Sequence, residues 1–344
     1  MSERHPLPTA PSASFRRKGP LEAAGELIGQ SSVAPRARTW LKRLYHALLM
    51  LQTGGRGLRS ALPHGEVVYV HPAHRFMSWN PAEYEAFRST VRPGTVALDV
   101  GANVGSYSVL LGQWVGVGGR VYAFEPAPDV FDGLTRHIAL NHLQHVVCAV
   151  AAAVADRDGI ARLTISPTAG ESRLTALAAR GERLAAFDGR CIPADYVAPR
   201  SNTPGILGRR ALPAGRLARL GATPDVHHGL LSDAGAGEGV AVVSIDRFCA
   251  RERIEPDFIK IDVEGWELAA LRGARETIGR RRRDTLALFV EMHPSVWPLI
   301  GVTKDDVLAE LHAQSLQIAP LTPGQDPWSL EGECVRLVPR SCAS

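Results

Sequence analysis

Two short segments carry charged residues where a buried strand would not tolerate them idly. In FIKIDVEGWE, residues 258–267, Lys260 and Asp262 interrupt an otherwise apolar run. A central parallel strand is normally apolar throughout. Residues two apart share one face of a strand, and a buried charge must be paired or put to use. Asp262 falls at the strand's carboxyl end, where open α/β sheets bind ligands. Glu264 follows at a helix entrance. In FVEMHP, residues 289–294, Glu291 and His293 share a face at the end of a further strand, and Pro294 stops the ladder. Lys260, Asp262, Glu291 and His293 are therefore the candidate catalytic set. His293, Asp262 or Glu291 could take a proton from a hydroxyl. The oxygen and nitrogen atoms of Asp262, Glu291 and His293 could instead hold Mg²⁺ or a similar ion; the metal-free alternative is the one adopted, with no metal ligand assigned. Each residue also has a structural reading: a Lys–carboxylate pair for Lys260 and Asp262, a helix cap for Glu264, a core histidine for His293.

A second group reads as a nucleotide site. In VALDVGANVGSYS, residues 96–108, an apolar strand runs into a glycine-rich turn that opens a helix. Gly101 and Gly105 let backbone approach a ligand, and amides at a helix N-terminus can hold a carboxylate. Asp99 can meet an ammonium group, and Asn103 offers a donor and an acceptor. A ligand with an amino-acid moiety would satisfy them all. The string is neither GxGxxG nor a P-loop. About 20 residues on, VYAFEP ends a strand at Glu125, placed to grip ribose hydroxyls.

DVGANVG, FEP and FIKIDVEGWE, in that order, resemble the FkbM family of S-adenosylmethionine-dependent methyltransferases over roughly Thr95–Ser166 and Val240–Pro294. The resemblance implies a doubly wound α/β fold of class I, Rossmann-like, with seven mostly parallel strands, the last antiparallel, and helices on both faces. It implies that Asp99, Gly101, Asn103 and Gly105 surround the methionine part of S-adenosylmethionine and that Glu125 holds its ribose. Family members methylate varied small molecules and sugars, usually at oxygen. The expected function is O-methylation of a hydroxyl on a small molecule, secondary metabolite or sugar. Two alternatives stand beside it: a catalytically silent cofactor-binding or scaffold protein, and a nucleotide-cofactor oxidoreductase, against which the missing GxGxxG counts.

The elements that must position these residues follow from composition and rhythm. The chain has 344 residues, 45% hydrophobic and 22% charged, enough for a real core. The net charge of +4 is spread out, which gives no reason to expect a nucleic-acid partner. Arg280–Arg283 reads as a solvated helix end, and His227–His228 lacks companion ligands. No stretch has the roughly 18 apolar residues of a membrane span. Cys148, Cys191, Cys249, Cys334 and Cys342 form no CxxC pair and are odd in number. That argues against a disulfide framework or structural zinc and for the cytoplasm.

Residues 1–60 read as a polar tail followed by an amphipathic helix at 38–51, with Trp40, Leu41, Leu44, Leu48 and Leu51 near one face. That face would dock on the main domain or on a second copy, giving a homodimer; a membrane surface is the other reading. Residues 61–344 form the catalytic domain, with strands alternating with helices. An insertion at about 166–239, rich in Gly, Pro, Ala and Arg, breaks the rhythm. Within it, Glu171–Leu174 could border the cofactor. After it, Asp246 is expected to cap a short helix, and Gly265–Ile278 to form one continuous helix.

Overall fold

The computed structural model describes residues 35–165, 172–177, 238–280, 286–330 and 332–340. The first element is helix α1, Pro35–Gln52. Within this chain it packs through a different side from the Trp40–Leu51 face. Tyr45 and Leu49 are buried, while Trp40, Leu44, Leu48 and Leu51 stay exposed. The helix has apolar residues on two sides, and the side with Tyr45 meets Arg75, whose guanidinium lies 5.6 Å from the Tyr45 ring centre. Strand β1, Leu58–Ala61, then pairs antiparallel with β2, Val67–Val70. The sequence reading missed β1, which straddles the boundary it drew after residue 60. LRSA alternates buried and exposed positions over four residues only, too few to stand out.

Helix α2, Pro81–Thr90, starts as its sequence predicts: Asn80 Oδ1 accepts from the Ala82 amide at 2.9 Å, and proline occupies the first turn. A βαβαβ unit follows, made of β3 (Val96–Val100), α3 (Ser106–Val115), β4 (Arg120–Phe124), α4 (Pro128–Leu140) and β5 (Val147–Val150). The chain then leaves the main sheet. Strands β6 (Ala153–Val154), β7 (Gly159–Ile165), β8 (Ser172–Leu177) and β9 (Glu238–Val243) form a second sheet in the order β6-β9-β7-β8. The apolar run Val147–Val154 is thus two strands serving two sheets. Ser172–Leu174 belongs to β8, paired antiparallel with β7. Most of the insertion, with His227 and His228, lies outside the described residues, as do Arg281–Arg283.

The chain returns through α5 (Ile245–Glu252), β10 (Phe258–Ile261), α6 (Glu267–Arg272), α7 (Arg275–Arg280) and β11 (Ala287–Met292). It ends with α8 (Lys304–Ala313), β12 (Leu316–Pro320) and β13 (Glu333–Pro339). Ser244, not Asp246, caps α5. Asp246 instead accepts from the Glu276 and Thr277 amides, at 3.0 and 2.7 Å, and so caps α7. The expected single helix over 265–278 breaks near Gly273, where a Cβ would fall 2.1 Å from the Ala155 carbonyl oxygen.

The main sheet has seven strands in the order β12-β13-β11-β10-β3-β4-β5. Strands β11, β10, β3, β4 and β5 run parallel, and β13 is antiparallel to both its neighbours. Strands β3, β4 and β5 grow one way from β3, and β10 and β11 lie on its other side. The order reverses between β3 and β10, and that switch point opens a crevice at the strands' carboxyl ends. Helices cover both faces. Phe87, Leu110, Phe258 and Phe289 fill one core; Leu98, Val100, Ile259 and Val290 fill the other. Cys148 on β5 is disulfide-bonded, where the cysteine spacing argued against a disulfide framework, while Cys249 and Cys334 are free and buried. Among the described residues, no helix is long and apolar enough to cross a membrane.

Candidate active site

The crevice is built from three strand ends. At the first, β3 gives way to the turn Gly101–Gly105. The Gly101 and Ala102 amides both donate to the Phe124 carbonyl at the end of β4, at 3.0 and 2.8 Å. Glu125 follows directly. Its Oε2 accepts from the Asn103 amide at 3.0 Å and its Oε1 from the Ala127 amide at 2.8 Å, so one carboxylate ties the two turns together. Burial pushes the Glu125 carboxyl up to about 7, against those two amides and with the charges of Asp262 and Asp99 adding to the rise. Asn103 holds a left-handed backbone, φ +51°, and its Oδ1 accepts from the Val104 amide at 2.7 Å. Asp99 is 1% exposed; its Oδ2 accepts from Ser108 Oγ at 2.5 Å, and its buried Oδ1 has no partner.

The glycines of this turn serve the protein before any ligand. A Cβ on Gly101, φ +79°, would lie 1.6 Å from the Asp262 carbonyl oxygen. A Cβ on Gly105, φ +90°, would lie 2.7 Å from Leu134 Cδ1. Gly101 therefore lets the turn after β3 touch the turn after β10. Gly105 opens α3, whose first turn has no side-chain cap.

At the second strand end stand Lys260 and Asp262, on the shared face the sequence predicts. Lys260 is 3% exposed and donates from Nζ to Asp262 Oδ2 at 2.9 Å. Burial alone would lower its pKa, but Asp262, Asp99 and Glu291 outweigh it and hold the ammonium above its usual range. The chain then turns sharply through Glu264, φ +49°, and Gly265, φ +102°, into α6.

Glu267 was not singled out from the sequence. It is fully buried, and all three of its partners converge there. Oε1 accepts from the Gly265 amide at 2.8 Å and from His293 Nδ1 at 2.9 Å; Oε2 accepts from Trp297 Nε1 at 2.7 Å. A glutamate in the first turn of a helix reads as a solvated dipole partner, and only the crossing of α6 over β11 makes this one an internal anchor.

His293, at the third strand end, is 9% exposed. With Nδ1 given to Glu267, its Nε2 faces Glu291 Oε1 at 3.6 Å, Glu264 Oε2 at 3.8 Å and Asp262 Oδ1 at 3.9 Å. Burial would lower the imidazole pKa, but the Glu267 bond and the charges of Glu267, Asp262 and Glu291 raise it. Burial raises the Glu291 carboxyl, and Asp262 raises it further. The structure thus brings Lys260, Asp262, Glu291 and His293 together, adds Glu264 and Glu267, and sets Asp99 within electrostatic reach of Lys260.

A seven-stranded sheet of this order, with a glycine turn after β3 and an acid after β4, defines the class I methyltransferase fold. Residues 99–316, more than half of the chain, match the Methyltransferase FkbM domain, and the protein belongs to that family. The 31-O-demethyl-FK506 methyltransferase FkbM of Streptomyces tacrolimicus is 40% identical over 81 residues, which span 23% of this chain and 29% of that protein. The methyltransferase FkbM structure from Methylobacillus flagellatus KT aligns at a TM-score of 0.35 and 15% identity, covering 92% of this chain and 58% of that one. A S-adenosylmethionine-dependent O-methyltransferase from Thermotoga maritima aligns at 0.34 and 10% identity, covering 86% of this chain and 83% of that one.

Proposed function

We propose that this protein transfers a methyl group from S-adenosylmethionine to a hydroxyl of a small molecule or glycan, at the crevice between β3 and β10. The observation that carries the reading is the contact of the turn after β3 with the turn after β10. It sets Asp99 and Glu125 beside a carboxylate–histidine cluster. The residues fit a zwitterionic nucleoside. The orphaned Asp99 Oδ1 would accept from the ammonium, directly or through water. The uncapped start of α3 would receive the carboxylate. Glu125 would accept from the ribose hydroxyls, and Asn103, exposed at the turn, would supply polar contacts.

When bound, S-adenosylmethionine supplies a methyl group whose bond to sulfur breaks as its bond to the acceptor oxygen forms, leaving S-adenosylhomocysteine. The protein's own work is to hold the acceptor in line and to take its proton. Asp262 would be the proton acceptor, since Oδ1 faces the crevice cluster while Oδ2 is held by Lys260. Lys260 holds Oδ2 of that carboxylate and so orients it, and Glu267 fixes the ring of His293.

The test has two parts. S-adenosylmethionine and S-adenosylhomocysteine should raise the melting temperature through linkage, whereas NAD should not. Methyl-labelled S-adenosylmethionine with extracts of the native organism should yield a labelled product with an O-methyl group by mass spectrometry. A folded protein that ignores the nucleoside, or that methylates nitrogen or carbon, sinks the proposal.

Glu125 adds a pH signature. Asp99 and Asp262 are the charges facing it, and two amides hold it. Because its folded pKa lies above the unfolded value, stability from the neutral carboxyl is complete below the usual glutamate range and is lost as pH rises through about 7. Ribose hydroxyls donate best to the ionised form. Affinity for S-adenosylhomocysteine should therefore rise by up to about tenfold from roughly pH 6 to pH 8. Glu125→Gln should flatten that profile; calorimetry at both pH values checks it, and an unchanged slope in the variant would refute the assignment.

A further inference from the structure

We infer that Asp262, Glu291 and His293 form a binding site for one first-row divalent metal cation. Each offers a ligand atom, and the three atoms lie within 4.8 Å of one another. His293 Nε2 is 3.6 Å from Glu291 Oε1 and 3.9 Å from Asp262 Oδ1. Ligands held ~2.0–2.2 Å from a common centre stand ~3 Å apart as neighbours and ~4 Å apart when opposed, so side-chain adjustments close the set.

An acidic cluster alone would not argue for a metal; the histidine does. Its ring is nine-tenths buried and cannot turn away, because Nδ1 is fixed on Glu267 at 2.9 Å. With Nδ1 protonated, Nε2 points into three carboxylates, all beyond hydrogen-bonding distance. Metal binding would release the Nε2 proton and place a dication among these carboxylates. The histidine held from behind by a carboxylate is also the arrangement that fixes the tautomer of metal-ligating imidazoles.

Neighbouring groups agree. Lys260 occupies Asp262 Oδ2 and leaves Oδ1 to the cluster. Gly332 passes beside it with φ +84°, and a Cβ there would stand 3.5 Å from both Nε2 and Glu291 Oε1, so its absence keeps the space open. One nitrogen and two carboxylates suit Mn²⁺ and its first-row neighbours better than Ca²⁺, and three protein ligands leave positions for a hydroxyl.

The use of this cation rests on the methyl-transfer reading; its binding does not. A dication here would lower the pKa of an acceptor hydroxyl brought beside it. Asp262 would then serve as a ligand, and the hydroxyl proton would pass to the adjacent Glu264 carboxylate.

The test is titration of Mn²⁺ into metal-stripped full-length protein, read by loss of the free Mn²⁺ electron paramagnetic resonance signal, with calorimetry of S-adenosylhomocysteine binding in parallel. The expected result is one Mn²⁺ per chain, with affinity weakened at least about tenfold in Asp262→Asn and in Glu291→Gln, the scale on which even the outer partners of metal ligands act. Glu276→Gln, on the exposed face of α7, should bind as the unaltered protein does. No stoichiometric Mn²⁺ in protein that still binds the nucleoside overturns the metal site and leaves the proposed function standing. Equal binding in all variants overturns it too. Mn²⁺ bound at the cluster by protein that ignores the nucleoside supports the site and removes the methyl-transfer reading.

Discussion

Asp262→Asn should slow methyl transfer by about 10²–10⁴-fold, the usual share of a positioned acid–base group. It should change the dissociation constant of S-adenosylhomocysteine by less than about threefold, or ~0.7 kcal/mol. The split follows from position. Asp262 lies past the end of β10, with one oxygen on Lys260 and the other toward His293. The cofactor contacts come from Asp99, Glu125 and the start of α3. As base or as metal ligand, the carboxylate is needed at the acceptor and not for the nucleoside. Asparagine is the informative replacement because it keeps shape and one oxygen. Alanine would leave Lys260, 3% exposed, without its closest partner. Breaking a buried pair from one side costs about 3–5 kcal/mol, so a dead alanine variant would report on folding as much as on chemistry. Single-turnover rates and calorimetry on the asparagine variant separate the two. A parallel fall in rate and nucleoside affinity would show that Asp262 only holds the crevice in shape.

The parts of this site legible in the sequence are those in which chemistry breaks local pattern. Lys260 and Asp262 stood out because a buried strand should not carry charge, and their shared face needed only the two-residue period. Glu125 and the Gly101–Gly105 turn were fixed by spacing along one strand–helix–strand unit. What escaped depends on elements crossing in space. Glu267 looks like an ordinary helix-entry carboxylate until α6 packs against the segment after β11 and delivers His293 and Trp297 to it. Asp246 appeared to cap the helix it opens, yet it caps α7, some 30 residues on. The break between α6 and α7 is invisible locally, because the Ala155 carbonyl that crowds Gly273 comes from the chain just past β6, far earlier in the sequence. Helix α1 shows a related dependence on its surroundings. It carries apolar residues on both sides, and only the position of Arg75 and the turn at Pro72–His74 selects Tyr45 and Leu49 for burial. The role of Gly101 was half read: the need for no side chain was plain, but the neighbour that requires it is Asp262.

That neighbour makes Gly101→Ala a highly disruptive small change. The new Cβ would stand 1.6 Å from the Asp262 carbonyl oxygen, which is backbone and has no rotamer to escape into. Either the turn after β3 or the turn after β10 must move. The left-handed φ of +79° adds roughly 1–2 kcal/mol of strain for a residue with a side chain, and overpacking adds roughly 1–3. For a domain of this size that corresponds to a melting point lower by roughly 10 °C. The displacement also falls on the functional contact itself, since one of these turns carries Asn103 and opens α3 and the other carries Asp262. Nucleoside affinity should therefore drop with stability, the opposite of the Asp262→Asn split. Gly105→Ala provides the contrast. Its backbone is similarly left-handed, but the atom it meets at 2.7 Å is Leu134 Cδ1, the far end of a flexible side chain. It should cost clearly less in melting temperature than Gly101→Ala. If thermal melts rank the two the other way, the two turns do not touch as described, and the route by which the cofactor turn and the Asp262 cluster share one crevice fails with it.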